Sequence, residues 1–361
     1  MIFKRLLFSF IVLIAIISCS SKGSGGQSTV NPTPCSFSNP VAEGQDPWVT
    51  KKGDTYYYIE SKGGGLYISK SQDLTGIKSN AVKVWSVPDS GWNQANLWAP
   101  ELHYLNGKWY IYYAAGESGP PFIHQRSGVL ESKTDDALGE YIDKGQLYTG
   151  DNFDPPVVGG ATKENNKWSI DFTVLQYQDQ LYGIWSGWEE NRDTDKTPQH
   201  QYIAEMENPW TISSNRIKIS SPVEPWETGT ELAINEGGQI LKNDTGEVYI
   251  IYSGSESWLP AYNLGQLKLT GDDPMNPQNW EKSGPVFQGT DSVYGVGHAS
   301  FTTSPDGSEH WIAYHTKVSP DPGWNRVVHL QPFDWKSNGE PNFGIPVEAG
   351  TPIELPSGEC E

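Results

Sequence analysis

GKWYIYY, residues 107–113, opens on a glycine turn and is aromatic or β-branched at every position after Lys108. A short run of this kind behind a turn is a strand signal. Four related runs stand elsewhere in the chain: GDTYYYI at 53–59, DQLYGIW at 179–185, GEVYIIY at 246–252 and SEHWIAY at 308–314. All keep the order turn, any, any, aromatic, any, any, apolar. Their central aromatics, Tyr56, Tyr110, Tyr182, Tyr249 and Trp311, recur at intervals of 54, 72, 67 and 62 residues. One copy would suit any antiparallel protein. Five in register predict five sheets of several strands each, and the expected fold class is all-β, a five-bladed β-propeller.

Each run is preceded by a second short segment: Gln45–Val49, Trp98–Leu102, Ser169–Val174, Ile234–Leu241 and Gly297–Phe301. The polar members of these segments are Asp46, Glu101, Asp171, Glu236 and His298, standing 10, 9, 11, 13 and 13 residues before the aromatics. If each pair of segments forms the first and second strand of a blade, these side chains converge on the propeller axis. Four carboxylates and an imidazole at one hollow suggest acid–base chemistry. Inverting hydrolysis of a glycosidic bond needs a carboxylate to activate water and a carboxylic acid across the sugar to protonate the leaving oxygen. Asp46 beside Trp48 and Glu236 among small residues suit that pair, and Asp171 suits a third group that raises the acid's pKa by like-charge repulsion.

Composition narrows the partner. A formal net charge of −19 disfavours nucleic acid, anionic membrane surfaces and polyuronates, and points to a neutral ligand. The 15 Trp and 18 Tyr offer flat faces for stacking on sugars, with Trp92, Trp98, Trp188 and Trp258 as platform candidates. At the start, Lys4 and Arg5 precede an apolar run from Leu6 to Ile17 and then Ser18-Cys19. This reads as an export signal over residues 1–18, too short for a permanent membrane span. The ending resembles a bacterial lipobox with Cys19 as the lipidated residue, a plain signal peptide being the alternative. Residues 19–34 read as a Ser/Gly-rich tether and 35–361 as the catalytic propeller. Cys35 and Cys360 stand at the two ends of that domain, placed either to pair in an oxidising compartment or to stay free.

The segments Asp46-Pro47-Trp48-Val49, Trp98-Ala99-Pro100-Glu101-Leu102, Ser169-Ile170-Asp171, Asn235-Glu236-Gly237 and Gly297-His298 resemble those of glycoside hydrolase family 43, in the family's order. The resemblance covers residues of about 40–345. It implies a five-bladed propeller, with Asp46 as general base, Asp171 as pKa modulator and orienter, and Glu236 as general acid. Phe172 and Gly238 depart from the family's frequent Gly and Pro and bear on subsite shape. His298 resembles the family's axial histidine, which in some members helps hold a hydrated calcium ion. A structural calcium contacted by His298 through water is therefore one expectation and a histidine satisfied by hydrogen bonds the other. Catalysis is expected to require no cofactor. Arg326, in Trp324-Asn325-Arg326, and Ser255–Leu264, which contains Trp258, resemble arabinofuranosidase-type members. They imply Arg326 and Trp258 as substrate contacts, and Trp98, Glu101 and His298 are the further candidates.

The expected activity is exo-hydrolysis of terminal α-L-arabinofuranosyl residues on neutral plant arabinan, arabinoxylan or derived oligosaccharides. The expected protein is a monomeric exported lipoprotein of the outer membrane, touching the membrane only through its lipid. β-Xylosidase and endo-arabinanase are the alternatives within the fold, and a non-catalytic glycan-binding propeller is the alternative of another class.

Overall fold

Every one of the five aromatic runs is the second strand of an antiparallel sheet, and strand alternation explains why such strands are apolar at nearly every position. In Lys108–Gly116, Tyr110 and Tyr112 point to one side and pack with Phe172, Val174 and Trp185. Trp109, Ile111 and Tyr113 point to the other and pack with Ile59, Leu66 and Ile68. A sheet covered on both faces has no polar side, so the usual period-two pattern is lost. Val248–Gly254 behaves the same way, with Tyr249 and Ile251 in one cluster and Val248, Ile250 and Tyr252 in another.

The computed structural model describes residues 35–152 and 165–360. The expected signal segment 1–18, Cys19 and the tether 19–34 lie outside these residues. Blade 1 is built from Trp48–Lys52, Thr55–Lys62, Gly65–Ser71 and Val82–Ser86, and blade 2 from Ala95–Leu105, Lys108–Gly116, Arg126–Ser132 and Tyr141–Gln146. Blade 3 contains Ser169–Tyr177, Gln180–Gly187, His200–Asn208 and Ile217–Ser220, and blade 4 Asn235–Lys242, Val248–Gly254, Asn263–Leu269 and Trp280–Gln288. Blade 5 takes three strands, Tyr294–Thr303, His310–Lys317 and Arg326–Trp335, from the end of the chain. Its outer strand is Ala42–Glu43, paired to Val327 and Val328.

The first strands of successive blades touch one another in a ring, and blade 5 meets blade 1 through Tyr294–Thr303 and Trp48–Lys52. Five hydrophobic clusters fill the five gaps between blades, the closing one holding Val49, Tyr56, Tyr58, Trp311 and Leu330. Burial of each such aromatic or aliphatic side chain contributes about 1.5–3 kcal/mol. Ring closure is reinforced twice more. Ser36–Ser38 pairs with Pro352–Glu354, and a disulfide joins Cys35 to Cys360 with Cα atoms 5.6 Å apart. A cross-link over so long a loop typically stabilises a fold by about 2–5 kcal/mol.

Candidate active site

The first strands share one irregularity near the axis. Their pairing slips between Trp98 and Glu101, Ile170 and Thr173, Glu236 and Gln239, and Gly297 and Ser300. Inside each slip sits a residue of positive φ: Ala99 at 39°, Asp171 at 53°, Gly237 at 57° and His298 at 46°. Asp46, at 48°, is the counterpart in the turn before blade 1. An isolated left-handed residue costs a non-glycine side chain about 1–3 kcal/mol, and a bulge turns that side chain out of the sheet plane. In three blades the bulge aims a titratable group at the same hollow. In blade 4 glycine takes the strained position and Glu236, just before it, supplies the carboxylate.

This register corrects the placement of Glu101. Its spacing to the aromatic run aligned it with Asp46, but the equivalent residue of blade 2 is Ala99, and Glu101 lies two residues further along the strand. It is buried, accepts a hydrogen bond from Gln239 Nε2 and lies 2.8 Å from His103 Nε2. Its carboxylate is occupied by side chains beneath the pocket and does not line it.

Asp46, Asp171 and Glu236 do meet, together with His298 and Arg326, in one cavity of about 500 Å³. Asp46 Oδ1 lies 3.4 Å from Arg326 Nη1, 3.5 Å from His298 Nδ1 and 3.3 Å from His315 Nδ1. Burial alone would raise its pKa. The charges of His298 and Arg326 outweigh burial and hold the carboxyl well below the usual carboxylate range. Asp171 Oδ2 accepts the Gly237 N–H at 2.9 Å, and Glu236 Oε1 accepts the Tyr262 hydroxyl at 2.9 Å. Both these carboxyls are pushed up, Asp171 to about 8 and Glu236 to about 7. Burial is the main cause for each; the charges of Glu236 and Asp46 add to it at Asp171, and that of Asp46 at Glu236. The pair therefore holds a proton near neutrality. The Gly237 N–H favours the ionised form of Asp171 and the Tyr262 hydroxyl that of Glu236, so the two carboxyls share that proton.

Around this centre the walls are aromatic. Trp98 packs edge-on against Phe122 with ring centroids 4.9 Å apart, and Trp168 continues that wall. Trp258 packs on Trp324 at 5.1 Å, and Trp324 is 58 % exposed, with the Arg326 guanidinium 5.3 Å from its ring centroid. Arg326 Nη2 donates to Gln45 Oε1 at 2.9 Å, and its buried Nε has no partner among the described residues. Two tryptophans read as platforms stand away from the cavity, one buried and one half-buried. Trp188 is fully buried in a parallel stack on Trp168, 4.4 Å away, and Trp92 is stacked on Tyr113.

His298 donates its backbone N–H to Ser253 Oγ at 2.8 Å and turns Nδ1 toward Asp46. Among the described residues no three His, Cys, Asp or Glu side chains are grouped to hold an ion. Calcium takes six to eight oxygen ligands, so the residues around His298 do not fit a directly coordinated calcium.

Sequence reasoning missed the walls and their supports. Trp324, Phe122, Trp168 and Leu232 line the cavity from connections between strands. Glu256, fully buried, accepts the backbone N–H groups of Thr230, Glu231 and Leu232 at 2.9, 2.9 and 3.1 Å, fixing the segment that brings Glu231 and Leu232 to the rim. The only hint in the sequence was its place in the stretch Ser255–Leu264.

An ionised carboxylate and a protonated one facing a single aromatic-walled hollow make a centre for acid–base hydrolysis. The family model described as glycosyl hydrolases family 43 matches residues 37–341. The chain belongs to that family. It is 33 % identical to the extracellular exo-α-(1→5)-L-arabinofuranosidase of Streptomyces avermitilis over 96 % of this chain and 72 % of that protein. It is 30 % identical to α-L-arabinofuranosidase 43 of Humicola insolens over 96 % of this chain and 70 % of that one. The solved α-L-arabinofuranosidase from Lactobacillus brevis superimposes with a TM-score of 0.75 at 29 % identity, covering 87 % of this chain and 98 % of that one.

Proposed function

We propose that the protein is an inverting, exo-acting α-L-arabinofuranosidase that removes terminal arabinofuranosyl residues from arabinan, arabinoxylan or their oligosaccharides. The observation that carries this reading is the meeting of Asp46, Asp171 and Glu236 in one cavity, with Asp46 ionised and a proton held by the Asp171–Glu236 pair near neutrality. Asp46 takes a proton from water as the water attacks the anomeric carbon. Glu236 gives its proton to the departing glycosidic oxygen, and Asp171 keeps that proton on Glu236 until it is needed. Arg326 has N–H groups left over from Asp46 and Gln45 to hold sugar hydroxyls. A non-catalytic glycan-binding propeller would have no use for a buried acid–base pair kept in opposite protonation states.

Export agrees with the basic-then-apolar start of the chain and with the extracellular Streptomyces relative. Lipidation at Cys19 would hold the propeller at a membrane. No helix among the described residues is long and apolar enough to cross one.

Side-by-side assay of aryl α-L-arabinofuranoside and aryl β-D-xyloside tests the sugar assignment. The arabinofuranoside is cleaved faster; faster cleavage of the xyloside assigns the pocket to a pyranose.

A further inference from the structure

We propose that Tyr262 and His315, lying parallel and offset outside the lining of the pocket, form a rigid spacer that orients Glu236 and sets its separation from Asp46. Tyr262 is then a positioning residue for the acid. The proposal rests on the hydrolase reading of the site and adds to it what holds the two reacting carboxyls apart.

The contacts run from one carboxyl to the other through buried groups. Tyr262 donates its hydroxyl to Glu236 Oε1 at 2.9 Å, leaving Oε2 to carry the proton. Its ring lies parallel to that of His315, with 5° between the planes and 5.4 Å between centroids. His315 Nδ1 in turn accepts the backbone N–H of Asp46 at 3.2 Å and lies 3.3 Å from Asp46 Oδ1. Both rings are fully buried, and neither lines the pocket. They contact Asp46 and Glu236 from outside the lining of the cavity.

The stack has no room to slide. A Cβ on Gly297 would come within 2.2 Å of the Tyr262 ring, so the backbone of blade 5 lies directly against it. Inversion depends on a fixed gap between base and acid that admits one water. Two stacked rings between the carboxyls supply a gap that side-chain rotation cannot close.

Protonation keeps the spacer constant through the working range. Burial and then the charge of Glu236 push the Tyr262 hydroxyl well above its ordinary value, so it remains a donor. Burial and the Arg326 charge push His315 down to about 3, against the pull of Asp46, so Nδ1 remains an acceptor. The charged and titratable groups around Glu236 come from every neighbouring element. They are Asp46 before blade 1, Asp171 on blade 3, Tyr262 between strands of blade 4, and His298, His315 and Arg326 on blade 5. Among these Tyr262 is the direct hydrogen-bond donor to Glu236.

The test is Tyr262→Phe, which keeps the ring and its stack and removes the donor. On an arabino-oligosaccharide kcat falls about tenfold with KM unchanged, the worth of one hydrogen bond to a charged group. The alkaline limb of the pH profile moves to higher pH, because ionised Glu236 has lost a donor and its proton leaves later. Asp171→Asn moves the same limb to lower pH, because the acid loses a like-charged neighbour. Tyr314→Phe removes another buried tyrosine hydrogen bond of blade 5, to Gln331, and leaves the profile where it was. A Tyr262→Phe enzyme whose kcat and pH profile coincide with wild type, while Glu236→Gln loses most of its rate on the oligosaccharide, shows that the stack does not hold the acid through the Tyr262 hydroxyl, which overturns the proposal and leaves the hydrolase reading standing. Wild-type rates from Glu236→Gln overturn the reading itself.

Discussion

Glu236→Gln lowers kcat/KM on an arabino-oligosaccharide by about 10²- to 10⁴-fold, the range that general acid catalysis supplies, and lowers it far less on a nitrophenyl arabinofuranoside. The difference comes from the leaving group. A sugar hydroxyl departs poorly without a proton, whereas nitrophenolate departs as the anion. Glutamine has the shape of glutamate, and its amide oxygen still accepts from Tyr262, so the pocket wall is undisturbed. Steady-state rates on both substrates check the assignment. Equal losses on the two would mean that Glu236 acts before the bond breaks, in binding or in activating water, and not as the acid.

Asp46→Asn has the larger effect on the aryl substrate, about 10⁴-fold, and the loss is similar on the oligosaccharide. Water must be deprotonated whichever group leaves, so no leaving group rescues this variant. Asp46 also carries a structural share. Its pKa is held low in the folded state, so it contributes stability above the ordinary carboxylate pKa that is lost as pH falls through the folded value. The asparagine side chain lacks the charge at neutral pH and leaves Arg326, 3.4 Å from the native carboxylate, without its anion. Some loss of thermal stability therefore accompanies the loss of rate, and unfolding curves taken beside the kinetics separate the two. A variant that recovers activity on the nitrophenyl substrate alone would place Asp46 on the acid side of the reaction.

The parts of this molecule that were legible in its sequence are those where local pattern and tertiary role coincide. The second strands stand out because both faces are covered, which leaves runs such as Tyr249–Tyr252 apolar without interruption. Asp46, Asp171 and Glu236 were legible because each lies a nearly constant distance ahead of such a run. That same rule misplaced Glu101. A bulge shifts pairing by one or two residues, and Ala99, with no functional group to notice, occupies the position that a carboxylate takes in blades 1 and 3.

Side chains from connections were out of reach for a different reason. Trp324, Phe122 and Leu232 are brought to the rim by loop conformations that no periodic pattern encodes. Glu256 and Tyr262 are buried polar groups whose partners lie 24–26 residues away, so only the folded chain shows that their hydrogen bonds are satisfied. The outermost strand of blade 5 belongs to the same class. Two residues at 42–43 carry no strand signal of their own and become a strand because Val327 and Val328 offer an open edge.

Nuclear magnetic resonance of the first sugar released from an α-L-arabinofuranoside tests most directly whether Asp46 and Glu236 act as facing base and acid on either side of a water. With water delivered from the face opposite the departing oxygen, the initial product is β-L-arabinofuranose, which mutarotates only afterwards. Release of the α-anomer as the first product would require a covalent sugar on one of the carboxylates, and would contradict the account.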